Sequence, residues 1–221
     1  IGFLIFSSVV YRKVRGSIRD QQELKQLRDE LLKATQTFKS MAMADSLTGL
    51  ANRRKFDTTL AQVLEASAGS GSPVSLIMLD IDFFKRYNDS RGHAAGDACL
   101  RLIGNTLQMV TLRTSDLVAR YGGEEFAIVL PDTSAEEALA LAQRAVMMVR
   151  EKHLPHPSTE LAEQIVTISA GCHTVKGGGR EDAFSALIRG ADTALYLAKN
   201  RGRNQAFSLP NTIAVEKSNA A

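Results

Sequence analysis

Leu117-Val118-Ala119-Arg120-Tyr121-Gly122-Gly123-Glu124-Glu125-Phe126-Ala127-Ile128-Val129-Leu130 is the stretch that decides the fold. Residues 117–121 and 126–130 have strand texture, and the Gly-Gly pair between them reads as the turn of a β-hairpin. Working outward, residues 74–81 form an apolar run too short for a typical helix and suited to a buried strand. A helix over 97–110 joins that strand to the hairpin. On the other side, a helix over 135–152 begins at Ser134, a plausible N-cap, and a loop with Pro155 and Pro157 leads to a strand over 165–170. The order is strand, helix, hairpin, helix, strand. It predicts an α/β, βαββαβ, ferredoxin-like core with a central, mostly antiparallel sheet. Further out lie a helix over 53–66, a loop over 69–73, a turn at Gly177-Gly178-Gly179, a last helix over 182–199 and a closing strand over 206–209. A tail over 210–221 is expected to be disordered.

With 221 residues, 44% hydrophobic and 23% charged, the chain has room for one globular domain with a substantial core and some extra length. The net charge of +3 is scattered except near the start, so nucleic acid is not an expected partner. Cys99 and Cys172 sit in apolar surroundings and read as packed thiols of a reducing compartment. His93, His153, His156 and His173 show no zinc-ligand spacing with them.

Residues 1–10 are almost wholly apolar, and Tyr11-Arg12-Lys13-Val14-Arg15 follows at once. This pattern suits the cytoplasmic end of a membrane span. Ten residues cannot cross a bilayer, which needs about 20, so the expectation is a span truncated at the N-terminus and ending near residue 11. A frayed apolar terminus is the alternative. A signal peptide is disfavoured, because the basic cluster follows the apolar run. Over 12–44 a polar, helix-favouring segment carries Leu24, Leu27, Leu31, Ala34, Phe38 and Met41 at alternating steps of three and four. It reads as a long stalk helix, a coiled-coil linker that pairs two chains in parallel. An amphipathic helix packed on its own domain also fits.

Asp80 and Asp82 close the first apolar strand, and Glu124 and Glu125 occupy the hairpin turn. In a βαββαβ sheet those ends can meet on one edge, where unpartnered carboxylates repel unless a cation joins them. Magnesium suits such a site, since it takes one or two carboxylates and leaves room for phosphate oxygens. Gly122 and Gly123 permit positive φ and leave space for a ligand across the turn. Phe83-Phe84-Lys85 lies at the start of a turn or helix, where free amides can hold phosphate. Lys199 and Arg203 offer charge to a triphosphate, or compensate the dipole at a helix end. Asp80 taken alone also fits a strand-end carboxylate with no chemistry.

These residues carry a family resemblance. Over nearly all of residues 45–207 the sequence resembles the GGDEF domain of diguanylate cyclases. The matching stretches are Asp45 through Arg54, Asp80-Ile81-Asp82-Phe83-Phe84-Lys85 with Asn88-Asp89, Gly92-His93 with Gly96-Asp97, Arg120 through Phe126, and Ala191-Asp192 with Ala194-Leu195-Tyr196 through Lys199 and Gly202-Arg203-Asn204. The resemblance implies that a catalytic domain over 45–209 condenses two GTP into cyclic di-GMP as a homodimer. Asp80, the Ile81 carbonyl and Glu124 would bind magnesium or manganese. Asn88 and Asp97 would meet the guanine edge; Phe83, Phe84 and Lys85 would meet the phosphates through main-chain amides, and Lys199 and Arg203 would hold the terminal phosphates. Glu125 corresponds to the family's second acid, whose replacement typically costs activity, and with Glu124 and Asp80 would be catalytic; whether it is a general base is left open. Asp45 to Arg54 would lock the stalk onto this domain. Asp116, separated from Gly122 by five residues, and Arg113 match the family's inhibitory product site, and Arg144 falls where some relatives add a second arginine from a neighbouring domain. The implied location is the cytoplasmic side of a bacterial inner membrane.

Two rivals remain at this level. One is a non-catalytic domain of the same family that binds GTP or cyclic di-GMP as a receptor. The other is a different nucleotidyl cyclase or polymerase-like palm, which shares the core and the paired acids.

Overall fold

The structure, a computed structural model, describes residues 43–111, 113–176 and 182–209, together with Lys25, Gln26, Arg28 and Leu31. The chain divides into two units, Ile1–Met43 and Ala44–Ala221. In the first, Lys25, Gln26, Arg28 and Leu31 are helical, and Leu31 is the one residue of the expected seam among them. The expected span end over 1–11, most of the linker over 12–44, the turn at Gly177-Gly178-Gly179 and the tail over 210–221 lie outside the described residues. Among the described residues, no helix is long and apolar enough to cross a membrane.

The second unit runs β1 (Ala51–Asn52), α1 (Arg53–Ser70), β2 (Pro73–Ile81), α2 (Phe84–Arg91), α3 (His93–Val110), β3 (Leu117–Gly122), β4 (Glu125–Pro131), α4 (Ala135–Arg150), β5 (Ile168–Lys176), α5 (Ala183–Asn200) and β6 (Ala206–Ser208). The six strands form one sheet in the order β1-β3-β4-β2-β5-β6. β2 pairs antiparallel with β4 and β5, and β3 pairs antiparallel with β4. The short edge strands β1 and β6 add in parallel. The four strands β2 to β5 and their helices are the βαββαβ core that the hairpin and its flanks predict.

β2 is apolar on both faces because both faces are covered. Ile77, Leu79 and Ile81, with Phe126, Ile128 and Leu130 of β4, pack against Ile103 and Leu107 of α3 and Ala142, Ala145 and Val149 of α4. The alternate residues, Val74, Leu76 and Met78 with Ala127 and Val129, meet Phe56 and Leu60 of α1 and Leu187, Ala191 and Leu195 of α5. Side chains alternate with period two along a strand, so one continuous apolar run serves two cores. Burying each large side chain contributes about 1.5–3 kcal/mol. α5 lies very close to β5: a Cβ on Gly171 would fall 2.0 Å from the Leu195 amide nitrogen.

Ser134 caps α4 by accepting from the Glu137 amide, and the Glu137 carboxylate in return accepts from the Ser134 amide. Four boundaries differ from expectation by three residues or more. α3 starts at His93, four residues early, directly after Gly92 ends α2. α1 runs on to Ser70 and stops at Gly71, in the left-handed conformation. β5 begins at Ile168, because Ile165 bridges to Pro155, the Val166 amide bonds the Leu154 carbonyl and the Thr167 carbonyl takes the Asp82 amide. It continues to Lys176 because β2 offers a partner all the way back to Pro73.

Candidate active site

The site lies where β2 ends beside the β3–β4 turn. The sheet register sets Asp80 directly opposite Glu125 on one side and Ser169 on the other. The Ile81 amide donates to the Glu124 carbonyl at 3.4 Å, which fixes Glu124 next to the strand end. The turn itself is held by Arg120, whose Nε and Nη2 donate to the Gly123 carbonyl at 2.9 and 2.8 Å. Gly123 has φ 49, which glycine adopts at little cost. Arg120 also reaches Asp45 at 3.2 Å. Burial raises the Asp45 carboxyl, but bonds from the Thr48 hydroxyl and amide and the Arg120 charge outweigh it and hold the pKa below its ordinary value.

Asp80 is the most perturbed carboxyl here. Burial pushes its pKa up to about 6; Lys199, whose Nζ lies 2.8 Å from Oδ1, pulls it down, while the charges of Glu124 and Asp82 push it up. A carboxylate crowded by two others is the donor set that a cation relieves. Among the described residues no group of three or more His, Cys, Asp and Glu is arranged to hold a metal. Asp80, Glu124 and the Ile81 carbonyl supply only two carboxylates and one carbonyl, which fits magnesium, an ion that completes its shell with water or phosphate oxygens.

Asp82 does something else. It is 1% exposed and accepts from the Thr167 and Ser169 hydroxyls, both at 2.7 Å, and from the Asn204 amide at 3.1 Å. It ties β5 and the segment after α5 to the end of β2, and is structural. The sequence pattern put it in the acidic cluster because a strand-end Asp-x-Asp says nothing about which carboxylate finds hydroxyl partners.

Backbone strain gathers at this place. Phe83 (φ 56), Arg203 (φ 62) and Asn204 (φ 48) are three of the described non-glycine residues in the left-handed region, each costing about 1–2 kcal/mol. Phe83 is the N-cap of α2, and no side chain caps that end, so the first-turn amides of Phe84 and Lys85 are left for a ligand. Phe84 is buried in the core and Lys85 is exposed. The Arg203 guanidinium stacks 4.2 Å above the Phe83 ring, which gives that side chain a use the sequence did not signal.

Asn88 and Asp97 are brought to one spot. The Asn88 side chain lies against Gly96, where a Cβ would fall 1.8 Å from its Oδ1, and Asp97 is the next residue on α3, exposed. Asn88 Oδ1 is buried with no partner in the protein, so its hydrogen-bonding capacity is unused. The expected residues therefore divide into a carboxylate–cation point (Asp80, Ile81, Glu124, Glu125, Lys199), an amide and guanidinium patch (Phe83, Phe84, Lys85, Arg203) and a polar pair (Asn88, Asp97). Gly122 and Gly123 are exposed at the turn.

Arg113, Asp116 and Arg144 share a separate cleft of about 280 Å³ with Val110, Leu130, Thr133, Glu137, Ala140 and Leu141. Arg113 donates to the Asp132 carbonyl at 3.4 Å, and burial raises the Asp116 carboxyl above its ordinary value. α4 thus brings Arg144 to the same cleft as a pair it follows by 28 positions in sequence.

A family model described as "Diguanylate cyclase, GGDEF domain" matches residues 42–205. The response regulator PleD of Caulobacter vibrioides is 37% identical over 194 residues, 87% of this chain and 42% of that protein. Diguanylate cyclase A of Treponema denticola is 36% identical over 176 residues, 78% of this chain and 46% of that protein. The chain spans less than half the length of these relatives. A crystal structure of the coiled coil and GGDEF domain of DgcB from Caulobacter crescentus, in complex with c-di-GMP, superposes with a TM-score of 0.74 at 30% identity, covering 89% of this chain and 99% of that one.

Proposed function

The chain belongs to the GGDEF-domain family of diguanylate cyclases, and from that premise we propose that it condenses two molecules of GTP into cyclic di-GMP, releasing two pyrophosphates. The observation that carries this reading is the meeting of Asp80 with the Gly122-Gly123-Glu124-Glu125 turn, beside an uncapped helix start and an unpartnered buried Asn88 oxygen.

The guanine edge enters between Asn88 and Asp97, an acceptor and an ionisable acid matched to the donors of that base. The triphosphate lies across the Gly-Gly turn, taking the amides of Phe84 and Lys85 and the charges of Lys199 and Arg203. Asp80, Glu124 and the Ile81 carbonyl hold magnesium or manganese; when bound, such an ion lowers the pKa of the attacking hydroxyl and neutralises charge on the phosphoryl group. The 3′-oxygen of one GTP then forms a bond to the α-phosphorus of the other, the bond to pyrophosphate breaks, and the hydroxyl proton leaves to Glu125 or solvent. The same step in the opposite sense closes the ring. Each domain presents one GTP, so two domains face each other as a homodimer, and bringing the nucleotides together supplies much of the acceleration.

The linker over 12–44 pairs the two chains and sets their orientation, and the apolar start over 1–11 anchors the protein at the inner membrane. The Arg113–Asp116–Arg144 cleft binds the product as an inhibitor. The charge of its two arginines and its separation from the carboxylate cluster support that role. Incubation with GTP and magnesium at several protein concentrations, with the product separated by chromatography, is the test. Cyclic di-GMP formed at a specific activity that rises with concentration is expected. Cyclic AMP or cyclic GMP as the main product would refute the reaction. Tight GTP binding without pyrophosphate release would favour a receptor instead.

A further inference from the structure

His156 is completely buried although it belongs to the loop between α4 and β5. Its Nε2 lies 3.3 Å from the Phe83 carbonyl, and its ring stands edge-on to Tyr87 with centroids 5.2 Å apart. A carbonyl can only accept, so Nε2 carries the proton. Burial holds the imidazole below its ordinary pKa, which favours the neutral ring; the bare Nδ1 is buried without a partner.

The carbonyl it grips belongs to the left-handed N-cap of α2 and also accepts the first helical bond, from the Tyr87 amide at 3.1 Å. A second tie runs from the same loop to the same helix, between Glu160 and Arg86 at 2.5 Å. A non-glycine residue at positive φ drifts to the right-handed region unless its peptide is held from outside. Here the hold comes from a loop more than seventy residues away in sequence.

We propose that His156 is a positioning residue for nucleotide binding: by fixing the Phe83 carbonyl it aims the first amides of α2 and carries the Phe83 ring that supports the Arg203 guanidinium. This inference rests on reading the Phe83 turn as the phosphate site. Its test compares the full chain with His156→Phe, which keeps an aromatic ring against Tyr87 but cannot donate, and His156→Gln, which restores a donor near Nε2. Affinity for α,β-methylene GTP with magnesium, which cannot release pyrophosphate, is measured by calorimetry, alongside KM and kcat with GTP.

His156→Phe is expected to bind about tenfold more weakly and to raise KM in proportion, with kcat within about threefold of the parent. His156→Gln is expected to stay within about fivefold in affinity. Equal affinity of His156→Phe and parent overturns the proposal. So does a loss of more than about fivefold in His156→Gln, which decides alone should His156→Phe not fold. Failure of the parent to bind the analogue would bring down the phosphate-site reading itself, and the inference with it.

Discussion

Replacing Gly96 by alanine separates binding from folding in a way few other substitutions here can. The new methyl would stand 1.8 Å from Asn88 Oδ1 and 2.9 Å from its Cγ, and at an ordinary 3.4 Å from Phe84 Cζ. Only the tip of a flexible side chain is in the way, so Asn88 rotates aside and the backbone stays. Gly→Ala within a helix adds about 0.5–1 kcal/mol of stability, so the melting temperature should hold or rise slightly. The displaced amide loses the guanine edge, and a buried polar partner left unmet costs about 1–3 kcal/mol. At 1.4 kcal/mol per factor of ten, KM for GTP should rise roughly 5- to 150-fold. Steady-state pyrophosphate release and thermal melting, measured on Gly96→Ala, Asn88→Ala and the double variant, give the result. Because both changes remove the same interaction, the double variant should be no worse than the weaker single one. Unchanged KM in Gly96→Ala, or fully additive losses, would refute the placement of guanine against Asn88.

Glu124→Ala should cut pyrophosphate release by at least about a hundredfold by removing a ligand of the cation that stabilises the transferring phosphoryl group; wild-type turnover would contradict that assignment. Arg113→Ala should relieve inhibition by added cyclic di-GMP and leave the initial rate similar, and inhibition that persists would misplace the product cleft. The folded-state pKa of His156 lies below its ordinary 6.5, so the unfolded chain binds more protons as pH falls. The stability this histidine contributes is therefore complete above about pH 6.5 and declines as pH drops towards the folded value. The melting-temperature advantage of parent over His156→Gln should shrink between pH 7 and 5.5, whereas an advantage independent of pH would show that the ring does not titrate differently on folding.

The core was legible because its signals are local. The Gly-Gly turn, the apolar strand over 74–81 and the Ser134 N-cap each need only neighbouring residues to be read. What escaped depends on partners far away in sequence. Asp82 and Asp80 are indistinguishable on paper; Thr167 and Ser169, some 85 residues later, make one a structural tie and leave the other for chemistry. The late start of β5 follows from contacts within its loop and from the Asp82 amide, which donates to the Thr167 carbonyl from across the sheet, and α2 is a short helix whose N-cap has the wrong φ for a non-glycine residue. Lys199 was read for phosphate from its place near the end of the last helix; its 2.8 Å contact with Asp80 depends on how α5 crosses the sheet. His156 offered no signal, since a histidine between two prolines reads as an exposed loop.

Gly171 touches no nucleotide, yet it sets a limit on how freely this sequence can change. Any side chain there would collide with backbone atoms of α5, the Leu195 nitrogen at 2.0 Å and the Ala191 oxygen at 2.3 Å, and backbone cannot swing aside as a side-chain tip can. A larger residue must lift the helix, and Lys199 one turn further on rises with it. In a survey of tolerated substitutions, position 171 should rank with the acidic residues of the turn, a silent site whose mutants fold less well and reach Asp80 from the wrong height.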